Sequence, residues 1–208
     1  MNKKLKIIIS ISVLATIFVL AAHFLLQNRD HIQHLTLTER ECLLILPLFG
    51  GTASNPLRED RTHLFEFRQG NYEIRSYHYQ LGQLVSEQVV VDLFDVHERF
   101  SLLSIGATAL DGTRIRFDMN GEWFTRLDIV ELEIDQAKLG VEASGVITDN
   151  LRLPVDEERI FLYFFFSEGG TIHSNTIRNI ERSLDYRPHI DVLSGFDHVV
   201  LFTARRLD

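Results

Sequence analysis

The chain has 208 residues, of which 45% are hydrophobic and 24% charged, and its formal net charge is −8 at pH 7. Four of its 21 basic residues and none of its 29 acidic residues lie in the first 29 positions, so the remaining chain has 17 basic against 29 acidic residues, a net charge of −12. A nucleic-acid-binding protein needs a basic surface that replaces phosphate counterions, which excludes nucleic acid as an expected partner. Peripheral attachment to anionic lipid is disfavoured on the same ground. A cationic partner or a neutral ligand fits this charge better.

The chain begins with a basic segment followed by an apolar run. Residues 1–6 contain three lysines, and the segment from Ile7 to Leu26 carries no formal charge. A helix of this length rises about 30 Å, which is enough to cross the hydrocarbon core of a bilayer. Because only Arg29 closely follows the run, the positive-inside rule places the N-terminus in the cytoplasm and the rest of the chain outside. We therefore expect a single-pass cell-membrane protein, with a cytoplasmic tail at 1–6 and a transmembrane anchor at 7–26.

A cleaved signal peptide is the alternative interpretation of this segment. The small-residue site at Val19-Leu20-Ala21 suits signal peptidase, and cleavage there would make the protein secreted. The apolar run continues to Leu26, beyond that site, and is longer than the core of an ordinary signal peptide. This length favours a retained anchor.

Residues 27–60 are expected to be a stalk or linker, with room for a short strand or helix at 41–46. The only cysteine, Cys42, lies in this segment, so an intramolecular disulfide is excluded. We interpret Cys42 as a small buried hydrophobe. An intermolecular disulfide near the membrane is the alternative.

From residue 61 to residue 208, short runs of alternating apolar and polar residues are separated by turn residues, which is typical of an antiparallel β-sandwich or a partly open barrel. The first expected strands are Thr62–Phe67, Tyr72–Tyr79 and Leu84–Leu93. Turns are expected at Gln69–Asn71 and Leu81–Gln83.

The third of these strands contains a carboxylate among apolar side chains. Period-2 alternation places four apolar residues on the core face: Val85, Val89, Val91 and Leu93. Glu87 falls on the same face, where it is expected to pair with an arginine such as Arg75 or Arg116, or else to line a cleft with a raised pKa. The structural pair is the favoured interpretation, and Glu87 is a weak catalytic candidate.

Two hairpins and a bulge are expected in the middle of the domain. Asp111-Gly112 and Asn120-Gly121 are dipeptides that favour type I′ turns between strands. The apolar alternation between Trp123 and Ile134 changes phase, so a β-bulge is expected near Ile129-Val130.

The C-terminal part contains further strands and one helix. We expect strands at Val141–Ile147 and Val199–Ala204, and a central strand at Arg159–Phe166 that is covered on both faces or packed against an added helix. Helical spacing of Ile177, Ile180 and Leu184, behind Ser174 or Asn175 as the cap, predicts one amphipathic helix. The expected fold is therefore all-β, mainly antiparallel, with one short helix in the C-terminal half and a single transmembrane helix in front.

The sequence contains no zinc-protease, paired-cysteine, nucleophile-elbow or dinucleotide-binding motif, so no cofactor is expected. Weak acid–base candidates are His97 and Glu98, whose alternative interpretation is a surface turn.

Aromatic side chains that would stack on a glycan or on an apolar protein patch are Tyr77, Tyr79 and Trp123, with core packing as the alternative. A weak metal candidate combines four C-terminal residues: His189, Asp191, Asp197 and His198.

Two functions are compatible with these features. The favoured hypothesis is a membrane-anchored, extracytoplasmic and non-enzymatic module that binds a protein or glycan partner through a β-edge or an aromatic face. The alternative is a membrane-tethered envelope hydrolase, whose carboxylates and histidines are brought together only by the fold.

Overall fold

A computed structural model describes residues 30–36, 62–111, 113–121, 124–134, 138–168 and 195–208. The chain divides into two compact units, residues 1–30 and 31–208, and nearly all described residues belong to the second. The expected anchor, the linker with Cys42 and the helix around Ile180 lie outside the described residues. In the part that is described, no helix is long and apolar enough to cross a membrane.

The described residues form an antiparallel sheet, as the sequence predicts. Its strands are β1 (Ile32–Leu35), β2 (Thr62–Gln80), β3 (Gln83–Asp111), β4 (Arg114–Gly121), β5 (Phe124–Glu133), β6 (Leu139–Val146), β7 (Asn150–Leu151), β8 (Glu158–Glu168) and β9 (His198–Arg206). The strand order is β5-β4-β3-β2-β9-β8-β6, and β1 joins both β2 and β7. The final strand β9 is therefore an interior strand, between β2 and β8.

The sheet folds over itself at β2. The first part of β2 pairs with β1 and the last part pairs with β9, while β3 pairs with β2 along nearly its whole length. Phe117 of β4 packs across the interior against Phe164 and Phe166 of β8, at centroid distances of 5.0 Å and 6.0 Å. Because β4 thus faces β8 across a buried aromatic layer, the domain is sandwich-like.

Strand β8 is covered on both faces, as its continuous apolar sequence predicts. Phe161, Phe164 and Phe166 belong to the inner core, whereas Tyr163 and Phe165 belong to a second buried cluster on the outer face. The second cluster, called here the outer cluster, comprises Ile160, Tyr163, Phe165, Phe196, Val199 and Leu201. The register with β9 skips Phe161, so a bulge aligns this ring with the inner core.

The predicted bulge in β5 is confirmed. Phe117 pairs with Val130 and Asp118 pairs with Asp128, which leaves Ile129 as the extra residue. The predicted hairpin between β4 and β5 is also present, but its turn lies later than expected. Gly121 pairs with Phe124, so Asn120 and Gly121 belong to strand β4.

The predicted break at Gln69–Asn71 is wrong, because β2 continues through it as one strand. The register with β3 shifts between Arg68 and Gly70, and Gly70 has a φ of 150°. One residue of β2, Gln69, lies opposite residues 97–99 of β3, so the irregularity adds residues to β3 and does not end β2, and the turn-like composition is misleading here. Strand β3 likewise runs unbroken from Gln83 to Asp111.

The core face predicted for the start of β3 is also wrong. Val85, Val89 and Leu93 have exposed fractions of 55%, 41% and 55%. The other face of this half of β3 is covered, since Phe94 and Val96 are buried in the inner core, so the exposed residues lie on its uncovered face. The predicted shared face is also wrong, because the register with β2 shifts between Val89 and Val91, and Val91 packs against the inner core while Val89 is exposed.

The turn between β2 and β3 suggests a stabilising substitution. Leu81 and Gly82 have φ values of 48° and 78°, the left-handed pair of a type I′ hairpin, and Leu81 is 62% exposed. Asparagine tolerates this backbone conformation better than leucine. We expect Leu81→Asn to raise the free energy of unfolding by about 0.5–1 kcal/mol in urea denaturation. Leu84→Asn, on an exposed strand position, is the control, and equal stabilisation by both variants would contradict the turn explanation.

Candidate functional site

Glu87 pairs with Arg75, one of the two arginines that the sequence suggested. Arg75 donates through Nη1 to Glu87 Oε1 at 2.6 Å and through Nε to Glu73 Oε1 at 2.8 Å. The Glu87 side chain is 43% exposed, so it does not line a buried cleft among the described residues. The contact is a surface ion pair between β2 and β3, and its contribution to stability is expected to be small.

Tyr77 joins this pair to a hydrogen-bond network on the outer face. Its hydroxyl donates to Glu158 Oε1 at 2.7 Å and lies 3.5 Å from Glu87 Oε1. Thr203 also donates to Glu158. Burial and the bond to Glu158 raise the pKa of Tyr77 above its ordinary value. Tyr77 is thus a half-buried link in a polar network.

The aromatic candidates do not form an exposed row. Tyr77 and Tyr79 lie on the face opposite Ile74, as predicted, but both are partly buried against the outer cluster. Trp123 lies outside the described residues. Core packing therefore accounts for much of the surface of the two tyrosines.

His97 and Glu98 are both exposed on β3. His97 Nε2 lies 2.9 Å from Asp95 Oδ2, and the His97 side chain is 77% exposed. This is the surface arrangement that the sequence offered as the alternative to an acid–base pair.

The metal candidate is only partly within the described residues, since His189 and Asp191 lie outside them. Asp197 accepts hydrogen bonds from Ser167 Oγ at 3.2 Å and from the backbone N–H of Glu168 at 2.6 Å. His198 Nδ1 lies 3.2 Å from His78 Nε2. Across the part of the chain that the structure describes, no three His, Cys, Asp or Glu residues are grouped to hold a metal ion.

A different polar cluster lies at one end of the inner core, where β1, β2 and β6 approach one another. His63 Nε2 is 3.1 Å from Ser144 Oγ, and His63 Nδ1 is 3.3 Å from His34 Nε2. The other ring nitrogen of His34, Nδ1, lies 3.8 Å from Asp149 Oδ1. These four residues, called here the His63 chain, connect a hydroxyl to a carboxylate through two imidazoles.

Aromatic packing fixes the two imidazoles of the His63 chain. The His34 ring lies 5.4 Å from Phe65, and the His63 ring lies 5.8 Å from Phe164 in an edge contact. Burial, reinforced by the neighbouring His34, lowers the pKa of His63 to about 4. Burial also lowers the pKa of His34, although Asp149 opposes that shift. Both rings are therefore neutral at pH 7 and each has one nitrogen that accepts a proton.

One signal in the sequence points to His63, although no sequence motif does. His63 alternates with Phe65 and Phe67 on one face of β2, so a strand with period-2 packing places its imidazole on the core side. Its partners lie 29 and 81 residues away. No local spacing encodes contacts at that separation.

The early half of β3 is the other unusual surface. Pairing of β3 with β4 begins at Leu103, so among the described strands residues 83–100 pair only with β2. This segment is called here the β3 edge. Of the seven large apolar side chains that are exposed in the described residues, six lie on it or on its turn: Leu81, Leu84, Val85, Val89, Leu93 and Phe100.

Comparison with known proteins gives no family to which these features can be referred. No protein-family model, no curated protein and no solved structure matches this chain.

Proposed function

We propose that this protein is a membrane-anchored, extracytoplasmic binding or assembly module, and that its β3 edge receives an extended cationic segment of a protein partner. The membrane and topology components of this proposal come from the apolar run at Ile7 to Leu26 and its basic flank. The binding component rests on one observation, the apolar edge at residues 83–100.

The backbone of such an edge favours pairing. An edge strand presents a row of unpaired N–H and C=O groups, and natural proteins usually shield it with proline, lysine or short length. Residues 83–100 contain neither proline nor lysine, and although register shifts against β2 interrupt this segment, residues 86–89 form a regular stretch of edge. An added strand would satisfy these backbone groups and cover apolar side chains such as Val85 and Val89.

Charge specifies the kind of partner. The β3 edge carries four carboxylates, Glu87, Asp92, Asp95 and Glu98, against the single cation Arg99. A second copy of the edge would bring like charges together, whereas a segment with lysine or arginine between apolar residues would complement it. The net charge of −12 beyond residue 29 adds a long-range attraction for a cationic partner.

The proposal predicts edge-specific cross-linking in native membranes. A photo-reactive amino acid placed at Val89 of the full chain is expected to cross-link to an extended, lysine- or arginine-containing peptide of another protein. The same probe at Val155, which is 52% exposed but lies outside the edge, is the matched control. Mass spectrometry of the cross-linked peptides identifies the partner segment.

Three results would contradict the proposal. Equal yields from Val89 and Val155 would remove the special role of the edge. Cross-linked peptides from this chain alone would identify a second copy as the occupant, and peptides without basic residues would remove the charge argument.

A further inference from the structure

We propose that the His63 chain is a nucleophilic site, in which Ser144 attacks the carbonyl carbon of a carboxylic ester and His63 acts as the general base. This inference is independent of the proposed binding function. It also names the residues that would catalyse hydrolysis if the protein is the envelope hydrolase considered as the alternative function. No sequence motif identifies these residues.

The hydrogen-bond directions are mutually consistent. With the proton of each imidazole on Nδ1, Ser144 donates to His63 Nε2, and His63 donates to His34 Nε2 at 3.3 Å. The remaining Nδ1–H of His34 faces Asp149 at 3.8 Å. One choice of tautomers therefore directs the two hydrogen bonds from Ser144 through His63 to His34, and the last contact, from His34 to Asp149, is electrostatic and longer than a hydrogen bond.

The environment keeps the base available. Because burial holds His63 neutral at pH 7, its Nε2 is unprotonated and can accept the hydroxyl proton, although a pKa of about 4 makes it a weaker base than an ordinary imidazole. When His63 becomes protonated, His34 can pass the stabilising effect of Asp149 to it through the shared hydrogen bond. Asp149 is 78% exposed, so this end of the chain reaches solvent.

The chemical step balances with water as the only co-reactant. Ser144 Oγ forms a bond to the acyl carbon while its proton moves to His63 Nε2. The carbon–oxygen bond of the ester then breaks, and the departing alcohol takes that proton. Water hydrolyses the acyl-serine by the same sequence, which releases the acid and restores the hydroxyl.

The alternative role of the cluster is a polar end to the aromatic core, with no reactivity. Reaction of the full chain in mild detergent with a fluorophosphonate probe distinguishes the two roles. We expect one label per chain, mapped to Ser144 by peptide mass spectrometry. Ser144→Ala is expected to abolish labelling, whereas Ser86→Ala, at an exposed serine of β3, is expected to leave it unchanged.

The base is tested separately from the nucleophile. His63→Gln is expected to lower the labelling rate by about 100-fold or more, as for loss of a general base. Asp149→Asn, at an exposed position, is expected to lower the rate without loss of folding, which circular dichroism checks. Between pH 6 and 8 the labelling rate is expected to be nearly constant, because His63 is already deprotonated. Without a general base, the serine would react as its alkoxide, and the rate would rise about tenfold per pH unit.

Each contrary result overturns the site. If Ser144 is not labelled, or if the parent and Ser144→Ala are labelled equally, the His63 chain has only a structural role. A labelling rate that is unchanged in both His63→Gln and Asp149→Asn would exclude His63 as the general base. A labelling rate that rises tenfold per pH unit would exclude it as well.

Discussion

Replacing Phe164 with alanine is expected to lower the free energy of unfolding by about 3–5 kcal/mol. The Phe164 ring is 1% exposed and contacts Phe117 and Phe202, at centroid distances of 5.0 Å and 6.2 Å. It also makes the edge contact with His63. Truncation removes buried apolar area and leaves a cavity between the two layers of the sandwich, because strands on both sides restrict collapse.

Urea denaturation of the full chain in mild detergent, followed by circular dichroism, measures this effect. Phe100→Ala is the matched control, because Phe100 is 42% exposed on the β3 edge. We expect the midpoint for Phe100→Ala to move much less than that for Phe164→Ala. Similar shifts for the two variants would mean that the layer between β4 and β8 is not the main core.

The sequence predicted this fold best where its pattern had a single structural explanation. Continuous apolar character from Ile160 to Phe166 indicates burial on both faces, and the structure confirms it. A change of phase near Ile129 requires one extra residue, and the register confirms that as well. Both predictions follow from the period-2 geometry of a strand, which depends on local residues alone.

The same geometry did not indicate which faces are covered. Alternation places Val85 and Val89 on one side of β3, but burial of that side depends on whether another layer lies above it. That is set by long-range packing, which buries Phe94 and Val96 of the same segment in the inner core and leaves Val85 and Val89 exposed. The exposure of this segment therefore had to come from the structure.

The candidate sites show the same limit more strongly. The pairing of Glu87 with Arg75 was predictable, because the two residues lie 12 positions apart on adjacent strands of one hairpin. The His63 chain joins β1, β2 and β6, and Ser144 is 81 positions from His63. Only the fold over β2 brings these strands together, and no residue spacing encodes it.

A second large effect is expected in mild acid, through the buried pair of His78 and His198. The two rings stack at a centroid distance of 5.4 Å, and His78 Nε2 lies 3.2 Å from His198 Nδ1. Burial, with the neighbouring His198, lowers the pKa of His78 to about 4. Burial also lowers the pKa of His198, against the opposing influence of Asp197 and Glu168.

The sign of the effect follows from proton binding. An unfolded histidine binds a proton near pH 6.5, whereas the folded pair does so only at lower pH. Between these values the unfolded chain binds more protons, so the free energy of unfolding falls as the pH falls, by up to about 1.4 kcal/mol per pH unit for each histidine. The stability present at pH 7 is therefore lost progressively toward pH 4.

Denaturation midpoints measured between pH 7 and 4.5 test this prediction. The double variant His78→Leu with His198→Leu replaces both partners with apolar groups, so neither nitrogen is left buried without its partner. We expect its stability to decline less than that of the parent by on the order of 2 kcal/mol over this range. His97→Asn, at an exposed histidine, is the control and should follow the parent. Carboxylates such as Glu73 titrate equally in all three proteins, so a difference in slope isolates the pair, and parallel curves would show that acid acts elsewhere.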